Sequence, residues 1–258
     1  MSRLSAVRHI FRAELSREFD PETLVGIAGV LLTGVALQFA TFVIRNGQPG
    51  TDLHPSAADF LLPFRLFVPI SAVLFTYATV ASEQTGGTLR LLLAAPYDRE
   101  EVLLGKLTSR LLLTVVPASL GVVSVAAAVA YFGPVDPKTF VLFALGTLVL
   151  GATFVSTSLF FSVTYAEDTK KALVNAAGLV VVSVFVWPVL TNVLTVLLGL
   201  PKTANAALSV TMPTSAYEHL VTAASPSLVT AVAVGALGFW CLAPFAYART
   251  AFDGLDLA

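Results

Sequence analysis

Six stretches of this chain, 24–44, 62–81, 107–132, 140–164, 172–198 and 228–247, are nearly unbroken apolar runs. A hydrocarbon core of roughly 30 Å takes about 20 helical residues to cross, so each run is long enough to span a membrane. With 56% hydrophobic and only 12% charged residues, the chain lacks the charged surface that a soluble domain needs. The expected fold is therefore all-α: a polytopic membrane protein with six transmembrane helices in a single transmembrane domain over residues 1–258.

The basic residues fix an expected orientation. Placing the N-terminus in the cytoplasm puts Arg3, Arg8, Arg12, Arg17, Arg90, Arg99, Lys106, Arg110, Lys170, Lys171 and Arg249 on that side, leaving only Arg45, Arg65, Lys138 and Lys202 outside. This asymmetry is the positive-inside signature, so both termini and the loops after spans two and four are expected to be cytoplasmic. The first run has charged flanks with no signal-peptide pattern before it, and it is expected to remain in the mature protein. Residues 1–20 read as an amphipathic interfacial helix: Leu4, Val7, Phe11, Leu15 and Phe19 share one side, with Arg8 at its margin. Asp20-Pro21-Glu22 then closes it and opens the next helix.

On the outer side, residues 199–227 form the longest connection. Pro201, Pro213 and Pro226 interrupt it too often for a seventh span, and its sequence predicts two short outer helices, the second opened by Pro213. Inside the spans chemistry is scarce. Asp and Glu are absent from all six interiors, against an ion-coupled carrier or proton pump. His9, His54 and His219 stand apart, offering no zinc or copper ligand set, and Cys241 reads as a small buried hydrophobe. No catalytic, cofactor-binding or metal-binding residues are assigned, and a net charge of −1 argues against a nucleic-acid partner. A phosphate loop of the form GxxxxGK[ST] is missing, since Gly105-Lys106 is followed by Leu107.

The polar island at 82–106, SEQTGGTLRLLLAAPYDREEVLLGK, carries most of the information. Gly86-Gly87 predicts a hinge after the second span. Thr88 to Ala94 predicts about two helical turns with Leu89, Leu92 and Leu93 on one face and Arg90 away from it. Pro96 stops that helix, and Asp98 with Glu101 predicts a capping box for the helix that re-enters the membrane.

These residues carry a family resemblance. Glu83, Gly87-Thr88-Leu89, Leu92-Leu93, Pro96 and Arg99, with Gly105-Lys106 a few residues on, resemble the pattern E-x-x-x-G-T-L-x-x-L-L-x-x-P-x-x-R followed by G-K of ABC type-2 transporter permeases of the type V exporter-like kind. The pattern sits between spans two and three of six, where that family has it. Asp98 stands where a small hydroxyl residue is common in the family, but it remains a good helix cap.

The resemblance implies the permease subunit of an ATP-binding cassette transporter. A separate ATP-binding subunit, holding ATP and Mg, would pair with this chain, as would a second permease copy in a homodimer or heterodimer. Glu83, Gly87, Thr88, Leu89, Leu92, Leu93, Pro96, Arg99 and Lys106 would form the ATPase-coupling segment. Substrate, more in keeping with export, would pass between permeases near spans two and five, where Phe67, Phe75, Tyr77, Phe185 and Trp187 stand. The location implied is the plasma membrane, in contact with lipids. The alternative is a stand-alone channel or lipid-binding scaffold without an ATPase. Antibiotic, polysaccharide and lipid exporters and a branch linked to copper and nitrous oxide reductase maturation all share the family, and the sequence selects none of them.

Overall fold

The computed structural model describes residues 3–47, 53–94 and 97–255. Pro96 lies outside them, and of Leu93 only the backbone is described. Among the described residues every regular element is helical. Six helical segments are long and apolar enough to cross a membrane, as the six apolar runs require. The chain is a multi-pass membrane protein.

Helix α1 (Arg3–Glu18) precedes the first span, α2 (Pro21–Asn46). The corner between them is made by Asp20, whose carboxylate accepts from the Glu22 and Thr23 amides while Pro21 takes the first helical position. The second span is α3 (Leu61–Thr76), entered through a single 3₁₀ turn, Ala57–Phe60. The apolar run predicts continuous helix to residue 81, but the structure departs from helix over 77–80. The cause is tertiary: the amides of Val80 and Ala81 donate to Ser162 Oγ at 2.9 and 3.2 Å, so a side chain from another helix takes two backbone donors. A short helix α4 (Ala81–Thr85) follows, then Gly86-Gly87 and α5 (Thr88–Leu93). Gly87 adopts φ +74°, a left-handed conformation that side chains with a Cβ rarely take, which fits the hinge to glycine.

Helix α6 (Arg99–Phe132) has 34 residues, so at 1.5 Å per residue it is roughly 50 Å long and overshoots the hydrocarbon core. Its surplus is the first two turns, which carry Arg99 and Lys106. Asp98 and Glu101 form the expected capping box, with the Asp98 amide donating to Glu101 Oε2 at 3.1 Å. Helix α7 (Pro137–Thr164) is the hub and packs against α3, α6 and the later helices.

The fifth span comprises α8 (Thr169–Val181), a π turn at Val182–Val186 and α9 (Trp187–Leu198). Pro188 has no N–H to close the ordinary ladder, and the Trp187 amide reaches back five residues to the Val182 carbonyl. Two short helices, α10 (Lys202–Ser209) and α11 (Pro213–Thr222), occupy the 199–227 connection before α12 (Leu228–Asp253). The second is pinned into the bundle: Tyr217 is fully buried against Gly146, and its hydroxyl lies 2.9 Å from Thr147 Oγ1.

The main core joins Phe60, Phe64, Phe143, Phe154 and Tyr217 along the middle of the bundle. A second cluster lies at the end where α1, α5, the start of α6 and the end of α12 converge, built on Ile10, Leu89, Val102, Leu103, Leu159 and Phe252.

Candidate functional site

The end of the bundle that carries the 82–106 segment is built around buried charge. Helix α1 lies across the first turns of α6 because Gly105 leaves room for it. A Cβ at Gly105 would come within 2.5 Å of Ile10 Cγ2. The face of α1 turned inward carries Ala6, Ile10 and Glu14, all buried. Of the apolar stripe expected for α1, Val7, Phe11 and Leu15 stay half-exposed and Phe19 is exposed.

This contact brings two pairs of charges into register. Glu14 and Glu18 are one turn apart on α1, and Lys106 and Arg110 are one turn apart on α6. Lys106 Nζ lies 2.7 Å from Glu14 Oε1 and 2.7 Å from Glu83 Oε2. Arg110 reaches Glu14 at 3.1 Å and Glu18 at 3.3 Å, while Arg17 closes on Glu83 at 2.8 Å. Three carboxylates and three cations make a neutral junction. Lys106 is 0% exposed, Arg110 2% and Glu83 3%, so the Coulomb attraction acts with little screening from water. Burial raises the Glu18 carboxyl pKa, but Arg110 and Arg17 pull it down further, to below its ordinary value. Arg17 moves the other way: burial lowers it, and Glu83, Glu14 and Glu18 more than offset that.

The remaining residues of the 82–106 segment sit around this junction. Thr88 opens α5, and its hydroxyl donates to the Glu83 carbonyl at 3.4 Å. Leu89 is fully buried among Ile10, Val102, Leu103 and Phe252, so it anchors α5 to its own chain. Leu92 is half-buried and lines a cavity of about 390 Å³ with Ile10, Arg17, Glu83, Thr88 and Tyr97. The Arg99 guanidinium donates to the carbonyls of Phe252, Asp253 and Leu255 at 2.8, 2.9 and 3.3 Å. It thereby serves the end of α12, where helical carbonyls lack partners. Arg249 of α12 pairs with Glu100 at 3.0 Å. The segment is thus held by α1, α6 and α12 together. Leu93 closes α5, and Pro96 falls outside the described residues.

The five aromatic residues expected along a substrate path separate into three places. Phe67 and Phe185 come together in an apolar groove of about 290 Å³ between α3 and the α8–π segment, with Ile70, Leu74, Ala177 and Val181. Phe75 and Tyr77 line a different cavity of about 320 Å³ with a mixed lining, beside Glu18, Asp20 and Arg110. Trp187 is tied to the outer helices, its Nε1–H donating to the Leu208 carbonyl at 3.2 Å.

The sequence matches the family described as ABC-2 family transporter protein over residues 12–257. The chain belongs to the ABC-2 transporter family. It is similar to the "Probable ABC transporter permease protein NosY" of Pseudomonas aeruginosa, 28% identical over 162 residues, covering 59% of this chain and 58% of that protein. The protein of the same name from Stutzerimonas stutzeri is 29% identical over 181 residues, covering 68% of this chain and 64% of its relative. The matched region thus spans less than two thirds of the length of either relative.

For this ABC-2 family chain the structure adds four charged residues to the 82–106 segment, Glu14, Arg17, Glu18 and Arg110, of which Arg17 and Arg110 count in the sequence only toward orientation. Their signal was the one-turn spacing of like charges, Glu14 with Glu18 and Lys106 with Arg110, which repel within a helix unless a partner faces them. Among the described residues, no group of three or more His, Cys, Asp or Glu is placed to hold a metal ion.

Proposed function

We propose that this chain is the permease subunit of an ABC transporter, working with a separate ATP-binding subunit that docks against the α4–α5 segment. The observation that carries this reading is the construction around Glu83 and Lys106. A short helix outside the membrane is tied by buried ion pairs to α1 and to the base of α6, so a push on α5 is delivered to a membrane-spanning rod rather than absorbed by a loop. Both relatives are named as ABC transporter permeases, which supports the same reading.

In this account ATP and Mg are held by the partner subunit. Leu92, half-buried at the edge of its cavity, supplies the docking contact with Leu93, while Leu89, Arg99 and the ion pairs hold the segment in place. The termini and the α4–α5 segment face the cytoplasm of the cell membrane, in keeping with the distribution of basic residues. A second permease copy, identical or related, faces the apolar groove at Phe67 and Phe185, and substrate is exported between the two. Trp187 is left out of that path because its indole N–H is engaged by the outer helices.

The experiment is co-purification. The double substitution Leu92→Asp and Leu93→Asp should abolish recovery of the ATP-binding subunit while the chain still inserts and purifies as a folded protein. Unchanged recovery would remove the docking role. Transport that persists with no ATP-binding subunit present would favour a stand-alone channel or lipid scaffold.

A further inference from the structure

At the opposite end of the bundle from the charged junction, a cavity of about 390 Å³ lies between α3, α9, α10 and α11, a size typical of small-ligand sites. Its walls are polar, with Arg65, Asn205, Ser209, Ser215, Glu218 and His219 among the lining residues, and no aromatic ring other than His219 faces it. Arg65 Nη1 is ion-paired with Glu218 Oε2, so a fixed cation and a fixed anion stand side by side in the wall. Two further atoms of the lining residues are buried without any hydrogen-bond partner: the Arg65 Nε, a cationic donor, and the Asn205 Oδ1, an acceptor. A buried polar group left unpaired is destabilising, and here the two residues that carry one of each polarity both line the same cavity.

We infer that this cavity binds a zwitterionic group, its anionic end taken by Arg65 and its ammonium end by Asn205 and Glu218. The alternatives fit the walls less well. A plain anion would meet the Glu218 carboxylate, and a metal cation would meet Arg65 with no cluster of ligating side chains to hold it. An apolar molecule would strip water from at least six polar side chains without replacing their hydrogen bonds. A phosphate joined to an ammonium through two carbons has the required chemistry, and it can arrive as the headgroup of a membrane lipid or as a free solute. The proposal does not depend on the ATP-binding partner.

The protein carries its own reporter. Its two tryptophans both hold the α10–α11 turn: Trp187 donates to the Leu208 carbonyl at 3.2 Å, and Trp240 to the Thr211 carbonyl at 2.9 Å. Intrinsic fluorescence of the full chain in phosphatidylglycerol nanodiscs would be titrated with glycerophosphoethanolamine and, separately, with glycerophosphoglycerol. In a second arm, the chain purified from discs of equal phosphatidylethanolamine and phosphatidylglycerol would be analysed for retained lipid by native mass spectrometry. Asn205→Leu and Arg65→Lys serve as variants, each checked for an unchanged thermal transition.

A saturable response to glycerophosphoethanolamine, at least tenfold weaker in Asn205→Leu and absent with glycerophosphoglycerol, supports the proposal with a free solute as source. Selective retention of phosphatidylethanolamine, lost in Asn205→Leu, supports it with a lipid as source. If neither probe distinguishes the native chain from Asn205→Leu and Arg65→Lys, the cavity holds only water and the proposal is overturned. An equal response to both soluble probes would likewise overturn it, since the selectivity for a zwitterion would be absent.

Discussion

Lys106 Nζ and Glu83 Oε2 lie 2.7 Å apart with both side chains withdrawn from solvent, joining the start of the third span to the segment that follows the second. The two residues bracket the whole 82–106 segment, so one buried ion pair closes it into a loop with a fixed base. Glu14 extends that closure to α1 by sharing Lys106 and Arg110. Removing one partner from a buried pair leaves an uncompensated charge, whereas removing both together removes the problem. Lys106→Met alone should therefore destabilise the chain by about 3–5 kcal/mol. The cycle is read by thermal unfolding in detergent. Adding Glu83→Gln, which leaves the junction neutral, should recover part of that loss, and strictly additive losses would show that the two residues do not interact.

Gly105 acts through space rather than flexibility, because a Cβ there would stand 2.5 Å from Ile10 Cγ2. Gly105→Leu should push α1 off α6 at a cost of about 1–3 kcal/mol, the usual range for an overpacked contact. Protease cleavage within residues 3–18 should become faster. Adding Ile10→Ala should restore part of the protection, and a failure to do so would place the effect elsewhere.

Acid should loosen the same junction. Because the folded state holds the Glu18 carboxyl below its ordinary value, its stabilising effect is complete above that ordinary value. It is lost as pH falls through the lower folded value. Hydrogen exchange in α1, divided by the intrinsic amide rate at each pH, should therefore be flat from neutral pH down to about 5 and should rise below about 4, near the ordinary glutamate range. In Glu18→Gln the rise attributable to this group should be absent, leaving a smaller acid dependence. An unchanged profile in that variant would remove Glu18 from the account.

Arg99 gathers three backbone carbonyls at the end of α12. Hydrogen bonds from a charged donor contribute about 1.5–3 kcal/mol each at most, and several from one group are not additive. Arg99→Ala should cost on the order of 2 kcal/mol and raise hydrogen exchange over residues 248–255, with little change in α2. All three bonds leave one nitrogen, Nη1, so Arg99→Lys, which keeps the charge on a single nitrogen but reaches less far, should be intermediate.

The membrane spans were legible in the sequence because burial in lipid demands long apolar runs, and nothing in the sequence blurs that signal. Local devices were also legible: Asp98 with Glu101 caps α6, and Gly87 takes the left-handed turn. What escaped was tertiary. Helix is interrupted over 77–80 because the Ser162 hydroxyl, roughly 80 residues away in the chain, takes the amides of Val80 and Ala81. The π turn ahead of Pro188 is marked in the sequence only by the N–H that proline lacks, and it is where Ser183 meets Thr214 of α11 at 2.9 Å. Leu89, Leu92 and Leu93 share a helical face in the sequence, yet Leu89 is buried in the chain's own core while Leu92 is half-buried. Periodicity identifies a face, but only the packed structure says which neighbour covers it.

The most direct test places a photoreactive p-benzoylphenylalanine at position 92 of the intact membrane complex and identifies what it captures on illumination. A covalent adduct with the ATP-binding subunit, absent when the same group is placed at exposed Tyr131 of α6, is the predicted result. Capture of lipid alone at position 92, in a complex that still contains the ATP-binding subunit, would contradict the assignment of α5 as its docking helix.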